Sequence, residues 1–267
     1  MNNHLALATC FYPASSPDRW KAAAEAGFQD AEIDVNSRAD TQTIMADSER
    51  IYADLKAGGL APTSFHLPFG VVWDISAEED DVRENALKEL FKLLKWVGDH
   101  QIGIAILHPS YEPIPDDHRA ARLRCAIQSI RLLGEEGKKY GVTIAVEDLP
   151  RTCLGNCADE LLQLIDGGKS AKVCFDVNHL LKESHRDFVE KVGPYIITTH
   201  LSDYDRLDEK HWMPGDGCID WKELKTLLDG VRYEGRFLFE LNEKNSPKLG
   251  RPFTPQELAD RFAELTR

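Results

Sequence analysis

The chain has 267 residues, 42% hydrophobic and 29% charged, with 45 acidic against 32 basic side chains and a net charge of −13. This is a globular rather than a disordered composition, and the acidic balance argues against a nucleic-acid partner, which needs clustered Lys and Arg to displace counterions. No apolar run nears the ~20 residues that span a bilayer, MNNHLALATCFYP lacks a basic leader and breaks at Pro13, and six cysteines without a CxxC pair suit a reduced compartment. The expectation is therefore a cytoplasmic protein with no membrane partner.

Read from the N-terminus, short β-prone runs alternate with amphipathic ones. A strand over 5–10 precedes a helix over 17–26, and a strand over 28–34 precedes a helix over 41–57. The strand over 62–67 is followed by Val82, Ala86, Leu90, Leu93, Leu94 and Val97 at helical spacing. After the strand over 103–109, Asp116 stands just before a helix as its cap, and Leu123, Ile127, Ile130 and Leu133 repeat at the same period. Strands over 142–148, 171–176, 195–200 and 236–241 are followed by helices over 157–166, 184–192, 220–229 and 256–266, the last opened by Thr254-Pro255. Cys153 and Cys157 flank a turn-like LGN and read as loop residues. Eight such units without a linker or charge block predict one domain over 1–267, a (β/α)₈ TIM barrel. An open doubly wound sheet is the rival, and it lacks a GxGxxG after the first strand.

The strand ends carry polar residues where apolar ones belong: His66, His108, Glu147, Asp176, His200 and Glu240, with His179 and His211 close behind. In this fold the C-terminal strand ends form the site. Buried ion pairs would need basic partners there, and only Arg151 is at hand. A divalent cation (Mn²⁺, Mg²⁺, Co²⁺ or Zn²⁺) relieves the repulsion and suits these donors.

At these residues the chain resembles the xylose-isomerase-like barrels, which include sugar and sugar-phosphate isomerases and epimerases and also endonuclease IV. The motifs are HLPFG (66–70), HPS (108–110), VEDLPR (146–151), CFDVNH (174–179), THLSDYD (199–205), HWMPGDGCIDW (211–221) and FEL (239–241). The resemblance implies one metal held by Glu147, Asp176, His200 and Glu240, with the two glutamates exchanging protons with opposite faces of a sugar. It implies a substrate contact for His179, and a GDG turn with Trp221 that closes strand seven onto its helix. His211 stands near where the 3-epimerases carry an Arg, which leaves the particular ketose open. The endonuclease branch matches too, with Glu209 where it has an Asp.

Proton transfer beside a carbonyl needs a base, an acid and a stabilised enediolate. Glu147 and Glu240 fill the catalytic roles; His66, His108, Arg151, His179 and His211 are the candidate substrate contacts. Arg151 either grips a phosphate or hydroxyl or neutralises the acidic rim. Asp203 either orients His200 or caps a loop, and Phe69, Trp73 and Trp212 lie in loops that could stack on a sugar. The expected function is a metal-dependent sugar isomerase or epimerase. The same equipment serves a lyase or dehydratase on a keto-sugar, keto-inositol or 3-keto-glycoside, and beyond those a zinc phosphodiesterase or a non-catalytic sugar-binding barrel. The partner is a small carbohydrate, and the sequence is compatible with a homo-oligomer.

Overall fold

Strand runs with alternate residues apolar on both faces can bury themselves only inside a layer of helices. The computed structural model, which describes residues 4–12 and 14–267, has that arrangement. Its strands are β1 (Leu5–Ala8), β2 (Phe28–Ile33), β3 (Ala61–His66), β4 (Ile104–Leu107), β5 (Thr143–Glu147), β6 (Lys172–Asp176), β7 (Ile196–Leu201) and β8 (Phe237–Phe239). They pair in sequence order, all parallel, and β8 pairs with β1 to close the barrel. The helices are α1 (Pro17–Glu25), α2 (Thr41–Gly58), α3 (Asp80–Asp99), α4 (Asp116–Lys139), α5 (Ala158–Leu164), α6 (His185–Val192), α7 (Trp221–Gly230) and α8 (Pro255–Leu265). The open-sheet rival is thereby excluded. The reading of the N-terminal stretch rests partly on residues 1–3 and Pro13, which lie outside those described. Among the described residues no helix is long and apolar enough to cross a membrane.

Period-two alternation divides the core. Leu7, Phe65, Val146, Phe175 and Phe239 join the large cluster between strands and helices. Ala6, Ala8 and Leu238, and Ile106, Ala145 and Cys174, form two small clusters inside the barrel. The small interior side chains leave the upper barrel to the polar residues. Helix ends follow local chemistry. Gly59 stops α2 in the left-handed region at φ +90°, and Thr254 with Glu257 makes a complete capping box on α8. Asp116 differs from expectation: it is the first residue of α4, and Pro115 holds the cap position.

Candidate active site

The alternation that packs Val146 and Phe175 outward turns Glu147 and Asp176 inward. Register then sets Asp176 beside His200, and His200 beside Leu238, two residues before Glu240. Candidate ligand atoms of Glu147, Asp176, His200 and Glu240 all lie within 4.8 Å of one another. His200 Nδ1 is 3.2 Å from Glu147 Oε1, 3.3 Å from Glu240 Oε2 and 4.0 Å from Asp176 Oδ2. The other Glu147 oxygen faces His66 Nε2 at 3.2 Å and His108 Nε2 at 3.1 Å. One carboxylate therefore joins residues from four strand ends.

Each of four imidazoles has one nitrogen committed as a donor. His66 Nδ1 donates to Leu67 O (2.9 Å), His179 Nδ1 to Asp148 O (2.8 Å) and His211 Nδ1 to Glu240 O (3.2 Å). His200 Nε2 donates to Glu32 Oε1 at 3.0 Å, and the other Glu32 oxygen accepts the Ser64 hydroxyl at 2.7 Å. A neutral ring so oriented turns a lone pair on its other nitrogen. For His66, His179 and His200 that nitrogen faces a carboxylate. Lone pair against carboxylate is repulsive unless a proton or a metal ion lies between, and the pattern is the one that orients metal-binding histidines. Asp176 Oδ2 is buried without a hydrogen-bond partner. The donor set thus fits a divalent cation. Four groups meet the distance requirement: His66/His108/Glu147, His66/His200/Glu240 and Glu147/Asp176/His200/Glu240, which share members, and the separate His179/Glu209/His211.

Electrostatics follows the geometry. Burial would raise the Glu147 carboxyl, but His200 and His108 beside it outweigh that and hold it well below the usual carboxylate range. Glu240 is likewise held down against burial, by His200. Asp176, for which burial dominates, is pushed up to about 6. Burial opposes charge on His66, yet Glu147 raises it to about 10. Burial lowers His108, which remains the more neutral ring.

A cavity of about 180 Å³ adjoins this cluster, and Asp176 and His200 are not in its lining. His66, His108, Glu147, Arg151, His179, Glu209, His211 and Glu240 all reach it, with Phe69 and Tyr111 at its edge. A groove of about 1110 Å³ between α2 and α3 contains none of them, so volume alone does not locate the site. The Arg151 guanidinium pairs with Glu112 and Asp208, each at 2.6 Å, and with Glu209 at 3.2 Å, so three rim carboxylates surround it. Glu209, hydrogen-bonded to His179, is held at about 2. His211 and Arg151 both adopt left-handed backbone, φ +50° and +52°. Such strain persists only where neighbours fix it. Asn245 Nδ2 donates to Lys210 O and His211 O, both at 2.7 Å, and its own carbonyl accepts from Met213 N.

Asp203 does not orient His200. Its carboxylate accepts from the amides of Tyr204, Gly215 and Ile219 and from Trp221 Nε1, so it caps the GDG loop onto α7. A Cβ on Gly217 would lie 2.1 Å from Tyr204 O, which explains the second glycine of that motif. The group that orients His200 is Glu32, one residue before the end of β2. Its only sequence signal is the alternation of Asp30, Glu32 and Asp34 along one strand. Trp73 and Trp212 are not among the residues lining this cavity, whereas Phe69 is and stacks on His108 with ring centres 4.2 Å apart.

A barrel of eight parallel strands with carboxylates and imidazoles converging at the strand ends defines the class. Residues 20–264 match the xylose isomerase-like TIM barrel family, and the chain belongs to it. It is 25% identical to an uncharacterised Methanocaldococcus jannaschii protein, over 67% of this chain and 64% of that one, so just under two thirds of that relative is spanned. It is also 25% identical to the D-psicose 3-epimerase of Enterocloster bolteae, over 80% of this chain and 72% of the relative. Similar solved structures include a Clostridium cellulolyticum D-psicose 3-epimerase with D-tagatose, at TM-score 0.77, 19% identity and 99% and 98% coverage. Another is the Escherichia coli 3-keto-D-glucoside 4-epimerase, at TM-score 0.73, 18% identity and 98% coverage of each chain.

Proposed function

We propose that this chain is a divalent-metal-dependent sugar epimerase or isomerase that moves a proton at the carbon beside a carbonyl. The observation that carries the reading is the pair Glu147 and Glu240, which line one cavity and meet the same His200 nitrogen. Glu147, Asp176, His200 and Glu240 are the residues to hold the cation. When bound, it polarises the substrate carbonyl and neutralises charge developing on its oxygen. Both glutamates are kept ionised by neighbouring imidazoles, so either can accept a proton from carbon while the other, once protonated, returns one to the opposite face. His66, His108, His179 and His211 are the groups to hold sugar hydroxyls. Arg151, saturated by three carboxylates, has no charge to spare for a phosphate, which favours an unphosphorylated sugar.

Solvent-deuterium exchange tests this with D-psicose, D-tagatose and 3-keto-glucosides in the presence of Mn²⁺, Mg²⁺, Co²⁺ or Zn²⁺. Exchange into at least one sugar, lost in Glu147→Gln and Glu240→Gln, is expected. No exchange into any of them sinks the reading.

A second reading has a specific observation behind it: the four ligand groups, in which His66, His108, His179 and His211 hold further ions. Metal titration separates the two. Saturation with one equivalent supports substrate contacts, whereas two or three equivalents, lost stepwise in His66→Ala and His108→Ala, support a multinuclear centre. Incision of abasic-site DNA by the loaded protein without exchange into any sugar favours the phosphodiesterase.

A further inference from the structure

On one side the cavity is bounded by Phe69 and Tyr111. Both also line a second, open cleft of about 630 Å³, whose floor runs from Asp34 to Arg38 and whose far wall is Gly70 to Val72. We propose that this outer cleft binds the apolar aglycone of a glycoside whose sugar ring occupies the inner cavity. The proposal rests on the sugar reading above and names its substrate class.

Three observations carry it. The inner cavity, about 180 Å³, is below the ~300–1,000 Å³ of ordinary ligand pockets and suits one sugar ring, whereas the two adjoining spaces taken together fall within that range. The exposed large hydrophobic side chains among the described residues are not scattered. Phe69, Val71, Val72 and Tyr111 all edge this cleft, and only Leu132 and Leu207 lie elsewhere. Val71 and Val72 are 67% and 68% exposed, and neither can offer a hydrogen bond to a hydroxyl; each gains only by covering an apolar group. Finally, the walls are fixed relative to each other. Ser37 Oγ accepts from the Phe69 amide at 3.1 Å, and Trp73 Nε1 donates to Ser37 O at 2.9 Å. The loop after β2 is thereby bonded to the loop after β3, so the cleft is preformed and a ligand need not order it. A free ketose would leave it empty.

The test compares methyl and phenyl 3-keto-β-D-glucopyranoside on the full chain with Mn²⁺, and on Val71→Ser/Val72→Ser. Withdrawing on the order of 55 Å² of apolar surface corresponds to about tenfold in affinity. The expected result is a KM about tenfold lower for the phenyl compound, a difference erased in the double variant while the methyl constants stay unchanged. Equal constants in the parent, or a preference that survives the substitutions, overturn the proposal. So does an oligomer that dissociates on substitution in sedimentation, which would make the valines a subunit contact. If neither compound exchanges deuterium, the proton-transfer reading fails separately. Calorimetric titration with the phenyl compound then decides: binding that the double variant weakens sustains the cleft, and absent or unaltered binding overturns it.

Discussion

Glu32 stands on β2 below the ring of strand-end residues, yet it governs which nitrogen His200 presents to them. Both of its oxygens are taken, one by Ser64 and one by His200 Nε2–H, in full burial. Gln in its place keeps the volume but removes the anion that fixes the ring. Metal affinity is expected to fall about 10–100-fold, as for other groups that orient ligands, and a chelator-competition titration reads it directly. Affinity equal to the parent would leave Glu32 a purely structural residue. Glu147→Gln is the harsher change: on the proposed reading this side chain is a base as well as the meeting point of His66, His108 and His200, so turnover should fall at least ~10²-fold in the exchange assay. Glu147, Asp176, His200 and Glu240 were legible in the sequence because polar residues at strand ends break an apolar pattern. Glu32 was not. Asp30, Glu32 and Asp34 share one alternation, and only barrel closure reveals which of them faces His200.

At the scale of elements, the loop from Ser202 to Asp220 depends on one carboxylate. Asp203 accepts three amides and an indole N–H. Hydrogen bonds to a charged group contribute about 1.5–3 kcal/mol each, and their donors here would be left buried. Asp203→Ala should therefore cost about 3 kcal/mol or more, measured by urea unfolding. A loss below 1 kcal/mol would show that the loop stands without it. The capping box of α8 gives a pH signature. Hydrogen bonds from Arg251 and from the Thr254 amide hold Glu257 at about 2, against an ordinary 4.5. A depressed pKa contributes stability that is complete above about 4.5 and disappears as pH falls toward 2. The difference in melting temperature between the parent and Glu257→Gln should accordingly shrink through that window; a constant difference would contradict it. The start of α8 was readable from Thr254-Pro255, whereas the role of Asp203 remained open between two partners. Sequence distance put it near His200, and the return of the loop put it against Trp221.

For the whole molecule, eight strand–helix units made closure legible, because each helix pattern lay between two buried strands. Loop geometry was not, since it depends on contacts between loops far apart in sequence, such as Glu112 and Asp208 on Arg151. Folding gathers carboxylates and imidazoles that the unfolded chain keeps apart, so a bound cation stabilises only the barrel. At 100 times its dissociation constant the gain is about 2.7 kcal/mol, a rise in melting temperature of about 5–10 °C. Differential scanning calorimetry with Mn²⁺ and with a chelator checks this, and Asp176→Asn should abolish the rise.

The Asn245 side chain, bonded to both Lys210 O and His211 O, has a consequence for how this scaffold can be re-engineered. Barrel enzymes invite the exchange of single loops as interchangeable parts. Here the segment after β8 carries the buttress for the segment after β7, and Ser37 does the same between the segments after β2 and β3. A graft that replaces residues 242–252 alone would import a new rim and release His211 from its left-handed backbone. Transplants between relatives should succeed when neighbouring segments travel together, so the heritable module of this barrel is the pair.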